Sequence, residues 1–219
     1  MYVFILDPDS VYCKSVFCAI FIAISRMLKA ATLMCVFMYS LDTGFKDLHV
    51  ILCTFGFHFF SAEAILSLNY ANGWSAPMKI RHRKFAHVFL QICGLGCSVA
   101  GTVIVILNKG LNGSPHGVTG IVTMVLAGLS TLSGPFTFRG KNSLAFWVQD
   151  DFGMYLKILH MSIGMPTFLA SSVCLCLGFL TDDFKTWVTS TVSFILVGFV
   201  TFYTVFILSN VFIKCVSRF

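Results

Sequence analysis

Residues 85–107 read FAHVFLQICGLGCSVAGTVIVIL, twenty-three residues without a formal charge and with one histidine near the start. At about 1.5 Å per residue such a run crosses the roughly 30 Å hydrocarbon core of a bilayer as a helix. Four more stretches of this kind follow the same pattern: about 48–68, 116–136, 155–180 and 187–213. A sixth lies before them. From Val11 to Ser40 the chain is apolar but interrupted by Arg26 and Lys29, which the sequence places as snorkelling side chains, with about Met27 to Leu41 spanning and Val11 to Ile24 free to lie on the membrane surface.

Composition agrees. The mean hydropathy is +0.87, with 57% hydrophobic and 11% charged residues, where soluble domains carry about a quarter charged. The expected fold is all-α: a polytopic membrane protein built as one six-transmembrane-helix bundle over residues 1–219, since spans and short connectors use nearly the whole length. Asp7 and Asp9 stand where a signal peptide is basic, and no small-residue cleavage site follows a short apolar core, so the N-terminus is expected to be retained. Cys35, Cys53, Cys93, Cys97, Cys174 and Cys176 fall inside apolar runs and read as small buried hydrophobes. There is no C-x-x-C-H sequence, so covalent c-type haem attachment is unsupported.

Orientation follows from the basic residues. Twelve arginines and lysines fall on the side of the termini and even-numbered loops (among them Lys14, Lys79, Arg81, Arg83, Lys84, Arg139, Lys141, Lys157, Lys214 and Arg218), against Lys46, Lys109 and Lys185 on the other. The termini are therefore expected in the cytoplasm.

His49, His87, His116 and His160 each stand near the start of a separate span. Consecutive spans alternate in direction, so His49 and His116 fall near one membrane face and His87 and His160 near the other, the cytoplasmic one. A histidine in hydrocarbon is costly and reads as functional, and paired imidazoles on facing helices are how a bundle builds a metal or haem site. Small residues follow each histidine on one helix side: Gln91, Gly94 and Gly101 after His87; Gly120, Thr123 and Ala127 after His116; Gly164, Thr167 and Ser171 after His160; Cys53 and Gly56 after His49. Such stripes leave room for a porphyrin, although small residues also mark ordinary helix contacts in membranes.

The segments Ala62-Glu63-Ala64-Ile65-Leu66 after His49, Arg83-Lys84-Phe85-Ala86-His87-Val88-Phe89-Leu90-Gln91, Pro115-His116-Gly117-Val118-Thr119-Gly120 and Leu156-Lys157-Ile158-Leu159-His160 resemble the cytochrome b561 family, in its short six-helix form, over roughly residues 45–180. The resemblance implies a transmembrane oxidoreductase, commonly a homodimer, with two b haems inside the four-helix core of spans two to five. It also implies that His87 and His160 hold the cytoplasmic haem and His49 and His116 the other. Cytoplasmic ascorbate would be the donor, and monodehydroascorbate or a ferric chelate the acceptor. The family's Leu-His-Ser-Trp around the fourth-span histidine is Pro115-His116-Gly117-Val118 here, and Val50 replaces the proline that usually follows the first histidine.

Other residues have plainer readings. His58 lies nine positions after His49, about half a turn round the helix, and is assigned to packing or hydrogen bonding. His82 belongs to a basic loop. Glu63 is the one acidic residue placed inside a span, protonated or bonded near the inner site. Arg81, Arg83 and Lys84 suffice as a topology signal and would also attract an anionic donor. No phosphate loop or dinucleotide fingerprint is present, and nothing suggests nucleic acid as a partner. A transporter or channel using the histidines as a proton or metal relay is the alternative, but it calls for broken helices and polar residues near the midplane.

Overall fold

In the computed structural model, which describes residues 9–44, 47–111, 113–137 and 150–216, six helices are long and apolar enough to cross a membrane. The first, α1 (Asp9–Asp42), is one continuous helix. The second span is composite: α2 (Leu48–Thr54), a π-helical segment (Phe55–Ser61) and α3 (Ala62–Ser67). Then come α4 (Ile80–Lys109), α5 (Pro115–Ser133) with a 3₁₀ extension (Gly134–Thr137), α6 (Asp150–Phe179), a short α7 (Asp182–Val188) and α8 (Ser190–Val216).

Local chemistry sets several of these boundaries. Pro115 opens α5, where its missing N–H costs nothing, and Ser114 Oγ accepts the Gly117 N–H at 3.1 Å. At the end of α4, Gly110 takes φ +73° while its N–H closes on Ile106 O at 2.9 Å. In the π segment the Ala62 N–H bonds Phe57 O, five residues back.

The span in residues 11–40 differs from expectation. It is not divided into a surface segment and a crossing helix, and Arg26 and Lys29 both turn to a partner on the second span. Their reach is taken up by Glu63: Arg26 Nη2 lies 2.8 Å from Glu63 Oε2, and Lys29 Nζ lies 2.7 Å from Oε1. Arg139, Lys141, Lys46 and Arg218 lie outside the described residues. The last span begins at Ser190, not Trp187. Thr189, at φ +81°, breaks the chain in a region that β-branched residues rarely enter. Trp187 instead sits on α7, where its indole N–H donates to Asp42 Oδ2 at 2.9 Å and ties α7 to the end of α1.

The spans pack chiefly as α4 along α2, the π segment and α3; α5 along α6; and α1 along α8, which also touches α6. The apolar core gathers Ile22, Val36 and Tyr39 with Leu66, Phe168, Phe179, Leu196, Val200, Tyr203 and Ile207. Among the described residues, α4 and α5 contribute nothing to it. Outward faces carry exposed large apolar side chains such as Phe85, Leu107 and Leu132, as a surface solvated by lipid requires. Cys13, Cys18, Cys35, Cys53, Cys93, Cys97, Cys174 and Cys176 are free thiols.

Candidate haem-ligating histidine pairs

Helix direction brings the four histidines together as two pairs. The rings of His49 and His116 have centroids 6.0 Å apart with planes at 77°, and those of His87 and His160 are 6.4 Å apart at 81°. The pairs lie at opposite ends of the bundle. His49 stands level with Gly101 on α4, and His87 lies fourteen residues earlier on that helix, a rise of about 21 Å.

Each ring is held by a carbonyl of the helix beside it. His49 Nδ1 is 3.2 Å from Gly101 O on α4, and His87 on α4 reaches back to Ala64 O on α3 at 2.8 Å. His116 Nδ1 is 2.9 Å from Cys174 O on α6, and His160 on α6 reaches back to Ser130 O on α5 at 3.1 Å. A carbonyl can only accept, so each Nδ1 carries the proton and each Nε2 keeps its lone pair. At His160 the neighbouring hydroxyl agrees: Ser133 Oγ donates to Ser130 O at 2.8 Å, leaving its own lone pair toward Nδ1, 3.0 Å away. Among the described residues no hydrogen bond engages Nε2 of these four rings.

This geometry fits a tetrapyrrole-bound metal. An ion bonded at about 2 Å to the Nε2 of two rings pointing at it would separate their centres by about 6.3 Å. No group of three or more His, Cys, Asp or Glu side chains suited to a metal gathers among the described residues. Two imidazoles alone therefore suit an ion whose remaining ligands come from a ring of its own, as in a b haem, better than a four-ligand protein site.

Part of the small-residue stripes packs helix against helix, the plainer of the two expected uses. A Cβ on Gly94 would come 2.7 Å from Gly56 O, and one on Gly101 would come 2.9 Å from Cys53 Sγ. On the other pair of spans, a Cβ on Gly164 would meet Ser130 Oγ at 3.3 Å. These positions draw helices together within a pair, and their closeness lets each ring reach its neighbour's backbone. The accepting residues, Gly101, Ala64, Cys174 and Ser130, are themselves small. Sequence reading missed them, because a carbonyl carries no residue-type signature. Cys53 and Cys174 also do more than fill space, with sulfurs 3.4 Å from His49 Nδ1 and 3.6 Å from His116 Nδ1.

His58 stands apart from both pairs, as expected. It is buried, with Nε2 3.4 Å from Ser171 O and Nδ1 3.0 Å from the Tyr203 hydroxyl, so both nitrogens are occupied. His82 is exposed. The expected basic loop is instead the first turn of α4, which starts at Ile80: Arg81 and Lys84 are exposed there, whereas Arg83 is tied back to the preceding connection through Met78 O at 3.1 Å and Ala76 O at 2.7 Å.

Comparison with known proteins points the same way. A family model described as eukaryotic cytochrome b561 matches residues 48–189. The mouse protein named transmembrane reductase CYB561D2 is 29% identical over 150 residues, 66% of this chain and 64% of the mouse protein. The human protein of the same name is 29% identical over 135 residues, 59% of each. The matched region spans less than two thirds of the length of these relatives.

Proposed function

Because the chain belongs to the eukaryotic cytochrome b561 family, a haem b family, we propose that it is a transmembrane reductase that moves electrons between two b haems, one near each membrane face. His87 and His160 hold the haem on the cytoplasmic side, and His49 and His116 hold the other. Cytoplasmic ascorbate is the donor, and monodehydroascorbate or a ferric chelate is the acceptor. The name carried by the mouse and human relatives, transmembrane reductase, supports the reaction class.

The observation that carries this reading is the pairing of rings across the bundle at 6.0 and 6.4 Å, with every Nδ1 turned to a carbonyl. Haem b supplies the one-electron change at iron. The residues supply the rest. Each carbonyl fixes its ring's tautomer and orientation and makes Nε2 a better donor. Two imidazoles at each site would hold the haem, and the chemistry it would supply there is electron transfer. The basic first turn of α4, with Arg81 and Lys84, raises the local concentration of an anionic donor, and the basic residues on that side support a cytoplasmic placing.

Purification from haem-replete cells tests the reading. A pyridine haemochromogen assay should give about two b haems per chain, with α-bands that ascorbate reduces. Colourless protein, or a spectrum unchanged by reductant, would overturn it.

A further inference from the structure

Three charged side chains inside the bundle are left unexplained by the paired imidazoles. Arg26 and Lys29 on α1 converge on Glu63 of α3. Arg26 donates through Nε to Oε1 at 3.2 Å and through Nη2 to Oε2 at 2.8 Å, and Lys29 Nζ donates to Oε1 at 2.7 Å. The Trp74 indole N–H adds a bond to Oε2 at 3.0 Å. Arg26 Nη2 also donates to Asn72 Oδ1 at 2.7 Å. Two cations facing one carboxylate leave a surplus of one positive charge, and Lys29 is only 3% exposed. A topology signal does not require a buried charge, and a buried charge left over from its pair is costly.

The location of this cluster suggests its use. Glu63 is joined directly to Ala64, whose carbonyl holds His87 Nδ1 at 2.8 Å. The side chain that α1 grips is thus one peptide unit from the atom that orients a ligand ring. We propose that Arg26, Lys29 and Glu63 form a positioning and charge-setting site for the haem held by His87 and His160. The cluster clamps the backbone that aims His87, and its surplus charge raises the reduction potential of that haem and not of the distant one. A fixed cation at low dielectric favours whichever form of a nearby group holds one more electron, and local charge is one of the levers a protein has on a redox centre. The inference rests on the two-haem reading.

Single-haem backgrounds test it. His49→Ala should keep only the haem at His87 and His160, and His87→Ala only the other. In the first background, Lys29→Met leaves the neutral Arg26–Glu63 pair and should lower the midpoint in a spectroscopic redox titration. In the second, the same substitution should leave the midpoint where it was. Glu63→Gln, which removes the negative charge, should shift the first midpoint upward, so that opposite charges act in opposite directions as structural damage would not. Trp74→Phe, which removes a hydrogen bond and no charge, should leave both midpoints unmoved. Equal shifts in both backgrounds, or no shift from Lys29→Met, would overturn the inference alone. Failure of the two backgrounds to keep one haem each would overturn the two-haem reading with it.

Discussion

His87 and Ala64 are bound to each other across two helices, Nδ1 to carbonyl oxygen at 2.8 Å, and the same two spans repeat the bond in reverse between His49 and Gly101 at 3.2 Å. Each span of the pair therefore presents one ring and supports the other. The spans carrying His116 and His160 do the same. The ring pairs bridge one pair of spans to the other, and the ring-to-carbonyl hydrogen bonds work within each pair.

Loss of haem should follow the ring pairing and not the hydrogen-bond pairing. His49→Ala and His116→Ala should each remove the same haem, and His87→Ala and His160→Ala the other, read from the α-bands of the reduced proteins. Loss of the same haem from His49→Ala and His87→Ala would show the rings to be wrongly paired.

His58 should matter for stability and not for haem. His58→Phe leaves the buried Tyr203 hydroxyl without its partner. The expected cost is about 1–3 kcal/mol. Unfolding in detergent should start at a lower temperature with both haems retained, and His82→Ala should change neither quantity.

Much of this arrangement was legible in the sequence because it depends on helix direction alone. A histidine near the start of each of four alternating spans can end up only in two groups, one at each face. The partners of Arg26 and Lys29 were hidden, since Glu63 lies more than thirty residues away and nothing in local pattern links them. The glycine stripes were ambiguous for a related reason. A small residue makes room for a porphyrin and for a neighbouring helix equally well, and only the packed structure shows Gly94 against Gly56. Trp187 looked like the start of a span because hydropathy does not register the turn at Thr189.

Glycine substitutions should divide by contact. A Cβ on Gly56 would collide with Ser98 Oγ and lie 2.7 Å from Gly94 O, and the second atom is backbone that cannot swing away. Gly56→Ala should destabilise by about 1–3 kcal/mol. Gly96 has nothing within 4 Å of its added Cβ, so Gly96→Ala should be neutral or gain up to about 1 kcal/mol from helix propensity. Denaturant titrations in micelles distinguish the two signs.

The donor should feel the basic start of α4 through Arg81 and Lys84. Reversing both to glutamate should slow haem reduction by ascorbate with haem content unchanged. Added salt should slow the wild type more than the variant, because screening removes an attraction the variant lacks. Arg83 is left out of this test, since its guanidinium braces the loop at Ala76 and Met78. Equal rates at low ionic strength would leave these charges as a topology signal.

Sidedness can be read at Asn112, on the connection between α4 and α5 and outside the described residues. Asn112→Cys in a Cys13→Ser background should react with a membrane-impermeant maleimide from the non-cytoplasmic side alone. Labelling only from the cytoplasm would reverse the direction of electron flow.

The π segment gives the second span a phase offset. On an uninterrupted α-helix, residues fourteen apart, such as His49 and Glu63, would project to nearly the same side, within about 40°. Here His49 turns toward α4 and His116 while Glu63 turns toward α1. The wider turn between them lets a single rod address two different neighbours, one at each end. Removing one residue from it, such as Phe57, would rotate one end against the other by about 100°. His49 and Glu63 could then not both keep their partners, although no apolar residue had been made polar and the span remained long enough to cross.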